Sequence, residues 1–131
     1  MHRVATEAGG LDLERRLQSI KQSPAELVFV SSADTELAAL ARIWGPRFGS
    51  RLRLMNASLL QHPEAAEHYA DHVLFHAKLA IFRLHGGKAY FPKLLDELLH
   101  IKSHGAQLRS LVLPGTDEWD PELENLSLIH I

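Results

Sequence analysis

Cysteine is absent from the 131-residue chain. This absence excludes disulfide frameworks, thiolate metal sites and cysteine nucleophiles, so a bound metal would need His, Asp or Glu ligands. No apolar run approaches the roughly 20 residues of a membrane-spanning helix, and the N-terminal segment lacks the pattern of a signal peptide. We therefore expect a cytoplasmic chain with no membrane partner.

Long blocks of one charge sign are also missing. The 14 basic and 16 acidic residues give a formal net charge of −2, which does not favour a nucleic-acid partner. Hydrophobic residues make up 46% and charged residues 23% of the chain, as in ordinary globular proteins. The length suits a single domain.

Short apolar runs alternate with helical patterns along the chain. The apolar runs predict strands at 27–32, 51–56, 78–84 and 107–113. Leucine and alanine spacings predict helices over 33–45, 62–77 and 91–103. We assign Asp34 to the N-cap and Gly45 to the end of the first helix, and Pro63 to the first position of the second.

This alternation predicts an α/β fold, since parallel strands need helical crossovers. We expect an open, mostly parallel four-stranded sheet flanked by helices, a flavodoxin-like half-domain. Asp120 and Pro121 begin a further helix that the apolar residues 126–131 interrupt. We divide the chain into a lead-in (1–26), the α/β module (27–125) and a tail (126–131). The tail matches the translation of a sequencing-adapter end, so we expect the module to be truncated there.

Candidate ligand-binding residues follow the strands, because open α/β sheets bind ligands beyond the carboxyl ends of their strands. Small and polar residues occur in these loops, although helix caps and tight turns need the same residue types. The candidates are Ser32, Asp34, Thr35, Gly86, Gly87, Tyr90, Gly115 and Asp117.

Known phosphate-binding and catalytic motifs do not fit the chain. Ala89 stands after Gly87-Lys88, where a P-loop needs Ser or Thr, and no glycine triplet follows the first predicted strand. Asp96 and Glu97 are adjacent on a predicted helix and so do not face each other. We predict no catalytic residue here.

Histidines recur at helical spacing. His68, His72 and His76 lie four residues apart on the second predicted helix, as do His100 and His104 on the third. Such spacing places two imidazoles near one metal ion. On a helical wheel, His68 lies nearly opposite the apolar face of its helix, His72 lies toward solvent and His76 lies at the flank of that face, while His100 and His104 lie opposite the leucine face of theirs. These positions favour solvated side chains, so a metal site at His68, His72 and His76 is the less favoured alternative.

The chain resembles the N-terminal region of the cobaltochelatase large-subunit family, CobN, which is related to the magnesium chelatase H subunit. The resemblance covers residues 22–123. Its most specific motifs are Ser32-Ala33-Asp34 with Glu36-Leu37, His76-Ala77-Lys78, Gly86-Gly87 with Tyr90, and Leu113-Pro114-Gly115 followed by Asp120-Pro121-Glu122. His68 and His72 do not belong to the family's pattern.

The resemblance implies a module of the tetrapyrrole-binding subunit of an ATP-dependent cobaltochelatase, inactive by itself. Such an enzyme inserts cobalt into hydrogenobyrinic acid a,c-diamide during aerobic cobalamin synthesis and works with the AAA+ subunits CobS and CobT. Cobalt, ATP and the corrinoid then belong to the full complex. Alternatives are a magnesium chelatase H-subunit module, a free-standing flavodoxin-like module for a nucleotide or flavin, and a histidine-based metal carrier.

Overall fold

The computed structural model describes residues 14–15, 17–86, 90–104 and 107–114. The strands are β1 (Leu27–Ser31), β2 (Leu52–Asn56), β3 (Leu79–Leu84) and β4 (Arg109–Pro114). The helices between them are α1 (Asp34–Phe48), α2 (Pro63–His72) and α3 (Pro92–Ser103). The predicted alternation of strands and helices is confirmed.

All three strand pairings in the sheet are parallel, and the strand order is β2-β1-β3-β4. Phe29 of β1 lies beside Leu54 of β2 and Ile81 of β3, and Ile81 lies beside Leu111 of β4. The fold is therefore the predicted open, parallel α/β sheet. None of the described helices is long and apolar enough to cross a membrane.

The two faces of the sheet are covered unequally. Alternate strand residues, such as Val30 and Phe82, are fully buried in one core with α2 and α3. The opposite face meets α1, where Trp44 contacts the ring of Phe29 edge to face at 6.2 Å between centroids. No residue of α1 is fully buried. Helices lie on both faces, as expected, but within the part of the chain that the structure describes only one face carries a closed core.

Both assigned ends of α1 are wrong. Ala33 occupies the N-cap without a side-chain cap bond, and Asp34 is the first helical residue. The helix also continues through Gly45 and Pro46 to Phe48, and Gly49, whose φ is +52°, follows as the C-cap. Proline removes one hydrogen bond but is tolerated near this end, and a positive φ suits a glycine that ends a helix.

The second helix is shorter than predicted. Pro63 lies in its first turn, as expected, but the helix ends at His72, and a 3₁₀ turn follows at Leu74–His76. Val73 takes a non-helical conformation, and both Val73 and Leu74 are buried. The change of direction places Leu74 in the core, and it takes His76 off the helix that carries His68 and His72.

The end of the lead-in packs into the fold. Ile20 is 1% exposed within the core, and the Gln22 side chain donates to the Leu54 carbonyl at 2.9 Å. Gln22 also accepts a 2.7 Å bond from the Tyr69 hydroxyl. Burial raises the pKa of Tyr69 far above its ordinary value, partly offset by Arg53, so its hydroxyl remains a donor. Composition alone did not predict this contact.

Candidate functional site

The strand order places a topological switch point between β1 and β3. The connection that leaves β1 runs to β2 on one side, and the connection that leaves β3 runs to β4 on the other side. The chain segments after these two neighbouring strands therefore diverge. Ligand sites of open α/β proteins lie in the crevice at such a point. Residues 32–33 and 85–86 form its described rim.

A buried serine anchors a polar chain at this crevice. The Ser31 hydroxyl, fully buried, donates to Glu36 Oε1 at 2.8 Å and accepts from the Ala33 backbone N–H at 3.1 Å. The other Glu36 oxygen lies 3.0 Å from Arg83 Nη1. This chain joins β1, the first turn of α1 and the end of β3.

The next serine joins the two rim segments directly. Ser32 donates its backbone N–H to the Arg83 carbonyl at 3.1 Å, which extends the β1–β3 pairing by one bond. Its hydroxyl accepts the His85 backbone N–H at 3.2 Å. The structure thus gives the predicted site residue Ser32 a role in holding the crevice.

Asp34 contributes to a second link across the same edge of the sheet. Its Oδ1 accepts a 2.5 Å bond from Asn56 Nδ2, at the end of β2. Asn56 Oδ1 in turn accepts from the Ser58 backbone N–H and hydroxyl, at 2.8 and 2.6 Å. Thr35 is exposed beside Asp34.

Gly86 and Tyr90 lie in contact although the turn between them is outside the described residues. Gly86 has a φ of +83°, and a methyl group on its Cα would overlap the Tyr90 ring. Positive φ and this close approach both require glycine. Tyr90 itself is 61% exposed, so one part of its ring covers Gly86 while the rest faces solvent.

Three predicted site residues, Gly87, Gly115 and Asp117, lie outside the described residues, as does the helix start at Asp120 and Pro121. The structure brings the remaining candidates to one edge of the sheet. Polar groups there are largely satisfied by one another, whereas Arg83 and Tyr90 keep substantial solvent-exposed surface. The arrangement can offer a guanidinium and an aromatic ring to a ligand.

The histidine pairs form ring contacts. His68 and His72 stack with centroids 4.0 Å apart, and His100 and His104 lie at the same distance. Burial and, secondarily, His72 lower the pKa of His68, with Asp71 opposing and Lys21 adding to the shift. Within the described residues, no group of three or more His, Asp or Glu side chains is arranged to hold a metal ion.

His68 is more buried than its helix position suggested. We expected it nearly opposite the apolar face of α2, but the lead-in residues Leu17, Lys21 and Gln22 line a cavity of about 490 Å³ with it. His68 does lie away from the buried residues of α2, and its partial burial comes from the lead-in segment, which a helical wheel of one helix omits. His100 and His104 are exposed, as expected.

Sequence reasoning missed Ser31, Glu36 and Arg83 as rim residues. Ser31 reads as the last residue of a strand and Arg83 as an interior strand residue, and 52 positions separate them along the chain. The one available signal was the Glu36-Leu37 pair, which belongs to the family resemblance. Their convergence depends on β1 and β3 being neighbours.

Two curated proteins match nearly the whole chain. It is 36% identical over 130 residues to an aerobic cobaltochelatase subunit CobN from Sinorhizobium sp, covering 98% of this chain and 10% of that protein. A CobN of the same description from Pseudomonas aeruginosa is 36% identical over 128 residues, again covering 10% of its length.

No family model matches the chain, and no solved structure does. The chain spans about a tenth of the length of the curated relatives. Since the identity extends over 96–98% of the residues present, the chain belongs to the family of the aerobic cobaltochelatase subunit CobN.

Proposed function

We propose that the chain is the N-terminal module of the large, tetrapyrrole-binding subunit of an ATP-dependent cobaltochelatase. The reaction is insertion of cobalt into hydrogenobyrinic acid a,c-diamide during aerobic cobalamin synthesis. The observation that carries this proposal is the 36% identity, over nearly the whole chain, to two proteins named aerobic cobaltochelatase subunit CobN. We assign the module a role in enclosing the substrate or contacting other subunits.

Metal insertion requires cobalt to lose water, ring nitrogens to lose protons and the macrocycle to distort. The described residues offer no cluster of three or more metal-ligating side chains. We therefore place the handling of cobalt in the remaining length of the parent subunit. ATP hydrolysis belongs, in this proposal, to the partner subunits CobS and CobT, and the isolated module is inactive.

The switch-point crevice is the proposed contact with the corrinoid. Tyr90, at 61% exposure, offers an aromatic face, and the Arg83 side chain is 45% exposed. A flat macrocyclic acid can stack on an aromatic ring and pair its carboxylates with a guanidinium. The hydrogen bonds of Ser31 and Ser32 hold the backbone around these two side chains.

The test uses the full-length subunit, reconstituted with its partners, ATP, cobalt and the corrinoid. Tyr90→Ala should raise the KM for the corrinoid roughly fivefold to tenfold, equivalent to about 1 kcal/mol of lost stacking. Phe75→Ala is the control, because Phe75 is a comparably exposed aromatic residue (43%) on the 3₁₀ turn before β3.

Two results would contradict the proposal. Cobalt insertion by the isolated chain would show that it is not an inactive module, and full activity after deletion of residues 27–114 from the parent would show that it is dispensable.

Substituting magnesium and a porphyrin in the same assay tests the magnesium chelatase alternative. That alternative requires insertion of magnesium and no insertion of cobalt.

A free-standing flavin-binding module remains the second candidate, because the crevice between β1 and β3 is where sheets of this strand order bind flavin mononucleotide. Titration of the purified chain with flavin mononucleotide tests it. Quenched flavin fluorescence would support this function, and unchanged fluorescence would remove it.

A further inference from the structure

Two exposed histidines lie side by side at the end of α3. His100 belongs to the last turn of the helix and His104 is its C-cap residue. Their ring centroids lie 4.0 Å apart, and both residues are exposed to solvent. Residues four apart are neighbours on a helix surface, so both imidazoles can reach one ion from the solvent side.

Hydrogen bonds determine which nitrogen of His104 is available to a ligand. Its Nδ1 lies 2.9 Å from the His100 carbonyl oxygen and 3.1 Å from the Ser103 hydroxyl. A carbonyl oxygen can only accept, so Nδ1 carries the hydrogen. Ser103 donates its own hydrogen to the same carbonyl at 2.9 Å, and its oxygen therefore accepts from Nδ1. The neutral ring then has its lone pair on Nε2.

This tautomer is the one that a metal-binding histidine needs. A ligating imidazole binds the ion through one nitrogen and donates the other N–H to a carbonyl, carboxylate or water, which fixes the orientation of the ring. His104 meets this condition through the His100 carbonyl. The ring of His104 is therefore held for binding through Nε2 without a further change of partners.

The charges around the pair favour a cation. The carbonyl groups of the last helical turn carry the negative end of the helix dipole. Lys102 lies between the two histidines in sequence, but residues two apart on a helix do not face each other. The exposed Asp96 lies four residues before His100, on the same side of the helix as the pair.

We propose that His100 and His104, the latter through Nε2, bind one divalent late transition-metal ion, with water in its other coordination positions. Imidazole suits Ni²⁺, Cu²⁺ and Zn²⁺, whereas Mg²⁺ prefers oxygen ligands. Two protein ligands are fewer than the three or four of catalytic and structural zinc centres, so the ion exchanges with solvent. The site is distinct from the switch-point crevice, because α3 ends beside the start of β4. This inference does not depend on the proposed chelatase function.

The histidine pair on α2 provides the comparison. His72 Nδ1 also lies 2.9 Å from the carbonyl of His68, and these two rings are again 4.0 Å apart. His68, however, is partly buried and lines a cavity with Lys21. The ammonium group of Lys21 repels a bound cation there. We therefore assign the tighter binding to His100 and His104.

Calorimetric titration of the untagged chain with Ni²⁺ at pH 7.5 tests the proposal. Loss of an outer-shell partner typically lowers metal affinity by about 10–100-fold, and loss of a ligand should cost at least about tenfold. We expect this loss in His100→Ala, in His104→Ala and in the more conservative His104→Gln. The matched control His72→Ala removes the corresponding histidine of α2 and should change the affinity by less than about twofold. Mg²⁺ should give no binding heat.

Thermal unfolding provides a second measurement, because an ion that binds only the folded chain raises its midpoint. Ni²⁺ should raise the midpoint of the unchanged chain and of His72→Ala but not that of the His104 variants. Midpoints measured without metal show that each variant folds, as expected for exposed positions. Three results would overturn the proposal: no binding of Ni²⁺, unchanged affinity in His100→Ala or His104→Ala, or an equal loss in His72→Ala.

Discussion

Ser31 illustrates how one small side chain holds the candidate site. Its buried hydroxyl bonds both to Glu36 and to the Ala33 backbone, and Glu36 then pairs with Arg83. A buried hydroxyl costs free energy unless it is hydrogen-bonded, and removing it leaves partners unsatisfied. Both hydrogen bonds of this network at β1 therefore depend on the Ser31 hydroxyl.

Ser31→Ala should lower the free energy of unfolding by about 1–2 kcal/mol, because Glu36 and the Ala33 N–H each lose a bond. Urea denaturation measures the change. Ser103→Ala serves as the control, since its exposed hydroxyl bonds locally to the His100 carbonyl. Equal losses for the two variants would show that the network at the crevice adds nothing.

His68 makes stability depend on pH. Its pKa in the fold lies below the ordinary 6.5, owing first to burial and then to His72. The unfolded chain therefore binds the proton more readily, and the free energy of unfolding falls as the pH drops through 6.5. Above that pH both states are neutral at this residue and the penalty disappears.

The variant His68→Asn should lose less stability than the unchanged chain between pH 7.5 and pH 5.5. Urea titrations at the two pH values measure the difference for each protein, and titrating groups that do not interact with His68 contribute equally to both. An identical fall in the two proteins would mean that His68 does not carry this pH dependence.

At the scale of single elements, α1 is a helix of ordinary length. Its last turns contain Gly45 and Pro46, two residue types that disfavour helices. The helix persists because the Trp44 ring packs edge to face against both Phe29 of β1 and Phe48 of the last helical turn. Tertiary packing thus outweighs local propensity.

Gly49→Ala should destabilise the chain by about 1–2 kcal/mol, since Gly49 has a φ of +52°. Thermal unfolding measures the loss. Gly45→Ala is the comparison: alanine is the better helix former, but in a helix its Cβ meets the ring of the following Pro46, so the net change should stay below about 0.5 kcal/mol. Equal losses from the two variants would contradict a special requirement for glycine at position 49.

The central strand β3 separates the closed core from the open face. Phe82→Ala should cost about 3–5 kcal/mol, because Phe82 is fully buried among α2 and α3. The neighbouring Ile81→Ala should cost clearly less, since Ile81 lies on the groove side and is partly exposed. Comparing their urea midpoints checks the assignment, and a greater loss from Ile81→Ala would reverse the two faces.

At the scale of the whole molecule, the unequal covering of the sheet is the main feature. The chain represents about a tenth of its curated relatives, and one face of its sheet retains an apolar groove between α1 and β3. The proposed crevice lies at the carboxyl edge of the same sheet and stays accessible.

Much of the fold was predictable because its signals are local. Apolar runs located all four strands to within two residues, since a buried strand needs continuous apolar side chains. Ends of helices were less predictable. The conformation of Val73 and the continuation of α1 past Gly45 depend on side chains that pack from other elements.

The sequence by itself determined the α/β class, the parallel sheet and the family resemblance, because hydrophobic periodicity and motif order are written along the chain. Only the tertiary structure decided that β1 and β3 are neighbours and that Ser31, Glu36 and Arg83 meet at their ends. It also decided that, among the described residues, the sheet face beside α1 keeps an apolar groove. Contacts between residues far apart in sequence depend on strand order, and local patterns do not specify it.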